Sequence, residues 1–216
     1  MASRKDTTVT DLLLKEALIY DGTGQPPRQM DILVRGDRIV AVGPDLRAEG
    51  AEIHALQGLS LAPGFIDAHS HNDWMAIKQN PLPWFEPFIR QGITSFITGN
   101  CGLSATGFEK DSPYKDLVGG GLFHFEGTTG CYGDMDSFFH AIDGKVPCNI
   151  AALMGHNSAR AGVAGNENRP LHEDELQRML AVLDKGLKQG ACGLSLGLMY
   201  EPGLYAPREE LQAVAD

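Results

Sequence analysis

Asp67-Ala68-His69-Ser70-His71 follows the apolar run Leu61 to Ile66. On an extended chain, residues two apart point to the same side, so His69 and His71 can present both imidazoles to one ion at the end of a strand. Imidazole is the commonest protein metal ligand and suits Zn²⁺. Taken alone, the pair also reads as two polar loop histidines. Cys101 ends a second apolar run in Ile97-Thr98-Gly99-Asn100-Cys101-Gly102, at the same strand-end level as His71. A thiolate there would add a soft ligand, although a lone cysteine beside glycines is equally a small buried thiol. His156 follows a third run in Met154-Gly155-His156-Asn157-Ser158-Ala159-Arg160. His156 could meet a substrate, and Arg160 offers a guanidinium fork suited to a carboxylate; the bland reading is a loop histidine and a solvated arginine. After a fourth run, Met199-Tyr200-Glu201-Pro202-Gly203 provides Tyr200 as a substrate contact and Glu201 as a further candidate ligand, within what is otherwise an ordinary Pro-Gly turn. Cys131, Cys148 and Cys192 have no comparable setting and no paired CxxC spacing, which fits reduced thiols.

The four runs that must position these residues are LAPGFIDA, ITSFITG, NIAALM and ACGLSLGL, continuous apolar stretches of the kind expected for parallel strands buried on both faces. Between the last two, Leu176, Leu180, Leu183 and Leu187 recur at helical spacing, with Glu173, Asp174 and Glu175 in the first turn and Gly190 just beyond the end. Shorter helices are predicted over Trp84 to Arg90, stopped by Gly92, and over Met135 to Ile142, after a glycine-rich loop at Gly119 to Gly121. Strand and helix alternate, which implies a parallel α/β architecture. Residues 11 to 61 read differently, as short strands with turns at Asp21-Gly22-Thr23-Gly24 and Asp37, and predict a small antiparallel β module that packs against the rest of the chain.

Composition bounds the functional classes. With 216 residues, 43% of them hydrophobic, the chain can bury a core. Eighteen Lys and Arg against 28 Asp and Glu give a net charge of -10, the wrong sign for a phosphate-binding surface, so no nucleic-acid partner is expected. No apolar stretch approaches the roughly 20 residues of a membrane span, and MASRKDTTVTD has no apolar signal core; no membrane association and a cytoplasmic location are expected. Tyr205 to Leu211 reads as a helix entry, yet the sequence stops at Asp216, which predicts a truncated chain.

Four segments together resemble the amidohydrolase superfamily and, within it, the D-aminoacylase or N-acyl-D-amino-acid deacylase family. They are Ala62-Pro63-Gly64-Phe65-Ile66-Asp67 with His69 and His71, Gly99-Asn100-Cys101-Gly102, Gly155-His156 with Arg160, and Gly193-Leu194-Ser195-Leu196-Gly197-Leu198 with Tyr200, Pro202 and Gly203. The openings IYDGTG and RGDRIVAVG are similar to the superfamily's N-terminal β module, so the resemblance covers nearly the whole chain.

The resemblance implies a (β/α)8 TIM-barrel metal-dependent hydrolase. Residues 1–61 would be part of a composite β-sandwich and 62–216 the first half of the barrel. It implies Zn²⁺ as cofactor, with Cys101 a zinc ligand and His69 and His71 ligands of a second or weaker metal position. The reaction would be hydrolysis of a small-molecule N-acyl-D-amino acid to a D-amino acid and a carboxylate. The remaining ligands, histidines of the fifth and sixth strands, and the general-base Asp of the eighth would lie beyond Asp216, so this stretch alone would be inactive. Two alternatives stay open: a non-catalytic truncated paralogue, and a cyclic-amide amidohydrolase of the dihydroorotase or hydantoinase kind. The latter typically uses a carboxylated lysine at the fourth strand, and Ala191 to Tyr205 contains no Lys. Acyl and side-chain specificity, the number of ions and the oligomeric state are not legible.

Overall fold

A computed structural model of the chain describes residues 10–115, 117 and 133–216. Cys131 and the predicted Gly119 to Gly121 loop lie outside the described residues. The chain divides into two compact units between Pro63 and Gly64.

The first unit is one five-stranded sheet of β1 (Leu12–Ile19), β2 (Arg28–Arg35), β3 (Arg38–Gly43), β4 (Glu52–Ala55) and β5 (Ser60–Leu61). β1, β2 and β3 pair antiparallel, as their turn residues imply. β4 and β5 instead run parallel to β1, so the expectation of an antiparallel module is corrected: the sheet is mixed. The register of β1 slips between Leu14 and Ala17 at a bulge where Glu16 adopts a left-handed conformation. Buried Asp31 holds that bulge, accepting from the Glu16 amide at 2.8 Å and the Leu46 amide at 2.9 Å and pairing with the Lys15 ammonium at 3.0 Å. Ala17, Ile19 and Ile32 form the small buried core.

The second unit alternates strand and helix. β6 (Phe65–Asp67) is followed by α1 (Asp73–Ala76), α2 (Leu82–Ile89), β7 (Ile93–Thr98) and α3 (Met135–Ile142). Then come β8 (Asn149–Ala152), β9 (Met154–Gly155), α4 (His156–Ala164), α5 (Glu173–Lys188), β10 (Leu194–Ser195), a 3-10 turn at Gly203–Tyr205 and α6 (Arg208–Ala215). β6, β7 and β8 pair parallel in sequence order, and β9 pairs parallel with β10. β8 and β9 are two halves of one run interrupted at Leu153, whose amide still donates to Thr98 at 2.9 Å. On the other side, the Cys192 amide donates to Ala152 and the Met154 amide to the Gly193 carbonyl. The result is four successive parallel strand positions with helices between them, the order expected of the first half of a (β/α)8 barrel; the described strands do not close into one.

Packing explains the helices. α2 lays Phe85 and Phe88 edge-on against Phe96 of β7, with ring centroids 5.6 and 5.4 Å apart. α5 buries Met179 and Leu183, half-buries Leu176 and Leu180, and leaves Leu187 exposed. A capping box closes its first turn, the Glu175 carboxylate accepting from the His172 amide at 2.8 Å. β6 departs from the expectation of burial on both faces. It pairs with β7 alone among the described strands, and Phe65 and Ile66 are about two-thirds exposed (65% and 66%). No described helix is long and apolar enough to cross a membrane.

Candidate metal centre

The parallel order of β6 and β7 brings both strand ends to one rim, and the side chains beyond them meet there. After β6, the Asp67 carboxylate accepts from the His69 amide at 3.1 Å and turns the chain. Ser70 points towards β7, its amide and hydroxyl both donating to the Ile97 carbonyl at 3.1 and 3.2 Å. Alternation then puts His69 and His71 on the other side, with ring centroids 6.0 Å apart and planes at 75°. Burial, and secondarily the neighbouring His69, hold the His71 imidazole below its ordinary pKa, which favours the neutral form that ligates.

After β7, Cys101 adopts a left-handed backbone conformation, with φ of 57°. That conformation is uncommon for a residue with a Cβ and is held by its surroundings. The Gly102 amide donates to Ser195 Oγ at 3.0 Å, and the Gly102 carbonyl accepts from the Ser158 amide at 3.0 Å. Two glycines permit this packing. A Cβ on Gly102 would stand 2.8 Å from the Asn157 side chain, and one on Gly197 would stand 1.9 Å from the Cys101 carbonyl oxygen. Asn157 completes the contact by donating to the Gly197 carbonyl at 3.0 Å.

His69, His71 and Cys101 each offer one ligand atom, and the three atoms lie within 4.8 Å of one another. His69 Nε2 and Cys101 Sγ are 3.3 Å apart. Two imidazole nitrogens and a thiol are the borderline-soft donors that suit zinc, whose bonds of about 2.0–2.3 Å put tetrahedral ligands roughly 3.3–3.8 Å apart. The donor chemistry of the set fits such an ion.

Behind the cluster lies a fully enclosed carboxyl. Asp73 is 2% exposed, and burial pushes its pKa up to about 6. Its Oδ1 accepts from Thr98 Oγ1 at 2.5 Å and its Oδ2 from the Ala105 amide at 2.7 Å, while its own amide donates to Thr98 Oγ1 at 3.0 Å. Asn100 adds a second tie between the two strand ends, donating to the Ser70 and Ile97 carbonyls at 3.3 and 3.0 Å.

No family model matches the chain. It is 36% identical over 205 residues to an N-acyl-D-aspartate deacylase of Alcaligenes xylosoxydans xylosoxydans, a match covering 93% of this chain and 39% of that protein. It is 35% identical over 213 residues to a D-aminoacylase of the same organism, covering 97% of this chain and 42% of the relative. The crystal structure of an N-acyl-D-glutamate deacylase from Bordetella bronchiseptica, complexed with zinc and a phosphonate inhibitor, superposes with a TM-score of 0.79 at 35% identity, over 95% of this chain and 42% of that one. The chain belongs to the D-aminoacylase family of amidohydrolases. It spans about two fifths of the length of the family members it matches.

Within this family fold, the other sequence-predicted residues take different places. His156 and Arg160 stand on α4 and are both 0% exposed. His156 Nε2 lies 2.8 Å from Glu210 Oε1, Arg160 Nε donates to the same oxygen at 2.9 Å, and an Arg160 terminal nitrogen donates to the Arg169 carbonyl at 2.7 Å. Both side chains are sealed against α6, so the reading of a solvated arginine is corrected. Glu201 is not part of the ligand cluster; it is exposed, and its carboxylate accepts from the Tyr205 hydroxyl. Tyr200 is 45% exposed, just past β10. Cys148 is half-buried and Cys192 exposed, and neither is in the cluster.

Sequence reasoning missed Asp73, Thr98, Asn157, Ser195 and Glu210. Thr98 and Ser195 lie inside runs that register only as hydrophobic, and Glu210 is visible in the sequence only as an acidic residue in the first turn of a helix.

Proposed function

We propose that this chain supplies the first metal ligands of a zinc-dependent hydrolase that cleaves the amide of N-acyl-D-amino acids to a D-amino acid and a carboxylate. The observation that carries the reading is the convergence of His69, His71 and Cys101 within 4.8 Å, in a chain related over nearly its whole length to N-acyl-D-amino-acid deacylases. Zinc bound there supplies Lewis acidity towards an amide carbonyl and lowers the pKa of water.

The chain's own part is to hold and shape. His69 and His71 give neutral nitrogen lone pairs, while Cys101 gives up its proton on ligation and brings one negative charge to the site. Tyr200 is the member of the proposed substrate-binding set that stays open to a ligand. The remaining ligands and a general-base Asp, which would take a proton from water and return it to the leaving amine, would come from parts of the fold outside the two fifths that this chain shares with its relatives.

The test is zinc content and hydrolysis of N-acetyl-D-methionine against its L-enantiomer by the complete gene product, with Cys101→Ala alongside. D-selective turnover with bound zinc is expected, and both should be lost in the variant. Undiminished zinc and turnover in Cys101→Ala would remove Cys101 from the site, and absence of D-selective hydrolysis would remove the substrate assignment.

A further inference from the structure

We propose that Asp73 and Thr98 are positioning residues that set the separation between the two histidines and Cys101. This inference rests on the metal reading of the cluster and adds to it the device that holds the cluster's two halves together.

Asp73 follows His71 by two residues, and Thr98 precedes Cys101 by three. Thr98 is 0% exposed and is the last residue of β7. The Asp73 carboxylate spans the Cys101 loop at both feet: one oxygen takes the Thr98 hydroxyl before the loop, and the other takes the Ala105 amide after it. The Thr98 hydroxyl in turn accepts from the Asp73 amide, so it both donates to and accepts from one residue. Side chain and backbone of Asp73 are therefore fixed to β7, and the chain two residues upstream carries His71.

A buried carboxyl is a costly way to join two loops. Apolar packing would stabilise the contact as well but would tolerate sliding, whereas three directional hydrogen bonds tolerate little. The ligand atoms need their mutual distances held within a fraction of an ångström for an ion to bind tightly, and supporting hydrogen bonds are how such distances are held.

The substitutions separate position from mere stability. Thr98→Val keeps the shape of the side chain but removes the hydroxyl, breaking the bond to Oδ1 and the one from the Asp73 amide. Thr98→Ser keeps both. Asp73→Asn keeps an acceptor for one donor and turns an amide NH2 towards the other.

The experiment is titration of the metal-free complete gene product with Co²⁺, following the thiolate-to-cobalt absorption and measuring affinity by chelator competition. Urea midpoints of the metal-free forms are recorded alongside. The expected result is a loss of Co²⁺ affinity in Thr98→Val of about 10- to 100-fold, with a weaker thiolate band at saturation. Thr98→Ser should restore both, and Asp73→Asn should fall between. Should Thr98→Val fail to fold, Asp73→Asn carries the same comparison. A folded Thr98→Val or Asp73→Asn that binds Co²⁺ as tightly as the unaltered protein, with the same band, overturns the brace alone. No thiolate band in the unaltered protein, or one that persists in Cys101→Ala, overturns the metal reading and the brace with it.

Discussion

His69 Nε2 stands 3.3 Å from Cys101 Sγ across 32 residues of chain. An ion bound between the two engages this sulfur and shields it from alkylation. Alkylation of Cys101 by iodoacetamide should therefore slow on the order of tenfold or more when Zn²⁺ is added to the metal-free protein. Cys148 and Cys192, outside the cluster, serve as internal controls and should label at the same rate with and without zinc. Equal protection of all three thiols would show that zinc acts on the fold rather than at Cys101.

Gly197 is the tightest contact on the Cys101 loop, since a Cβ there would meet the Cys101 carbonyl at 1.9 Å. Backbone cannot swing aside as a flexible side chain does, so Gly197→Ala should destabilise the protein by about 2 kcal/mol or more and reduce zinc content together. Gly22, with positive φ but open space around it, is the comparison: Gly22→Ala carries backbone strain alone and should leave zinc content unchanged. Zinc content at the unaltered level in Gly197→Ala would contradict this account of the loop.

Glu210 is the counter-charge of Arg160 and also meets the His156 ring at 2.8 Å, all three enclosed. Removing it leaves a buried guanidinium without its carboxylate, so Glu210→Ala should cost about 3–5 kcal/mol in denaturant unfolding. Replacing both charges, as in Arg160→Met with Glu210→Met, should destabilise less than the sum of the two single changes. Simple additivity would mean that the pair contributes nothing as a pair.

Glu175 sets an acid limit. Hydrogen bonding from Arg169 is the main cause holding its carboxyl well below the usual range, at about 2 against an ordinary 4.5. A lowered folded-state value means that this contribution to stability is complete above about pH 4.5 and is lost as pH falls towards 2. Urea midpoints measured from pH 6 to pH 2.5 should fall across that window, and the fall should be shallower in Glu175→Gln. Parallel curves for the two proteins would exclude this ion pair as a source of acid sensitivity.

The convergence of His69, His71 and Cys101 was legible because its geometry is local: the histidines are two apart at one strand end, Cys101 sits at the next, and parallel strands bring such ends to one rim. The helix over residues 173–188 was legible for a similar reason, since its leucine spacing is helical, although the deepest burial falls on Met179 and Leu183, and Leu187 stands exposed. The burial of His156 and Arg160 was not legible because a polar residue after a strand looks like an exposed loop residue. Their partner lies 54 and 50 residues further on, a pairing that no periodicity records. The direction of β4 was equally hidden: its four residues are all exposed and carry no pattern that distinguishes parallel from antiparallel pairing.

Neighbours in space within the second unit's sheet are also neighbours in sequence, and this bears on how the polypeptide is born. Both halves of the ligand cluster, and the Asp73 tie that spans them, lie between residues 67 and 105, so closing that stretch requires only a short loop and a small entropic penalty. Once Ala105 has been synthesised, both ligand-bearing strand ends and the Asp73 tie between them are present, whereas Ser158 and Ser195, which hold the Cys101 turn, come later. Vectorial folding can therefore bring the two strand ends together first and lock the Cys101 turn only when the later strands arrive.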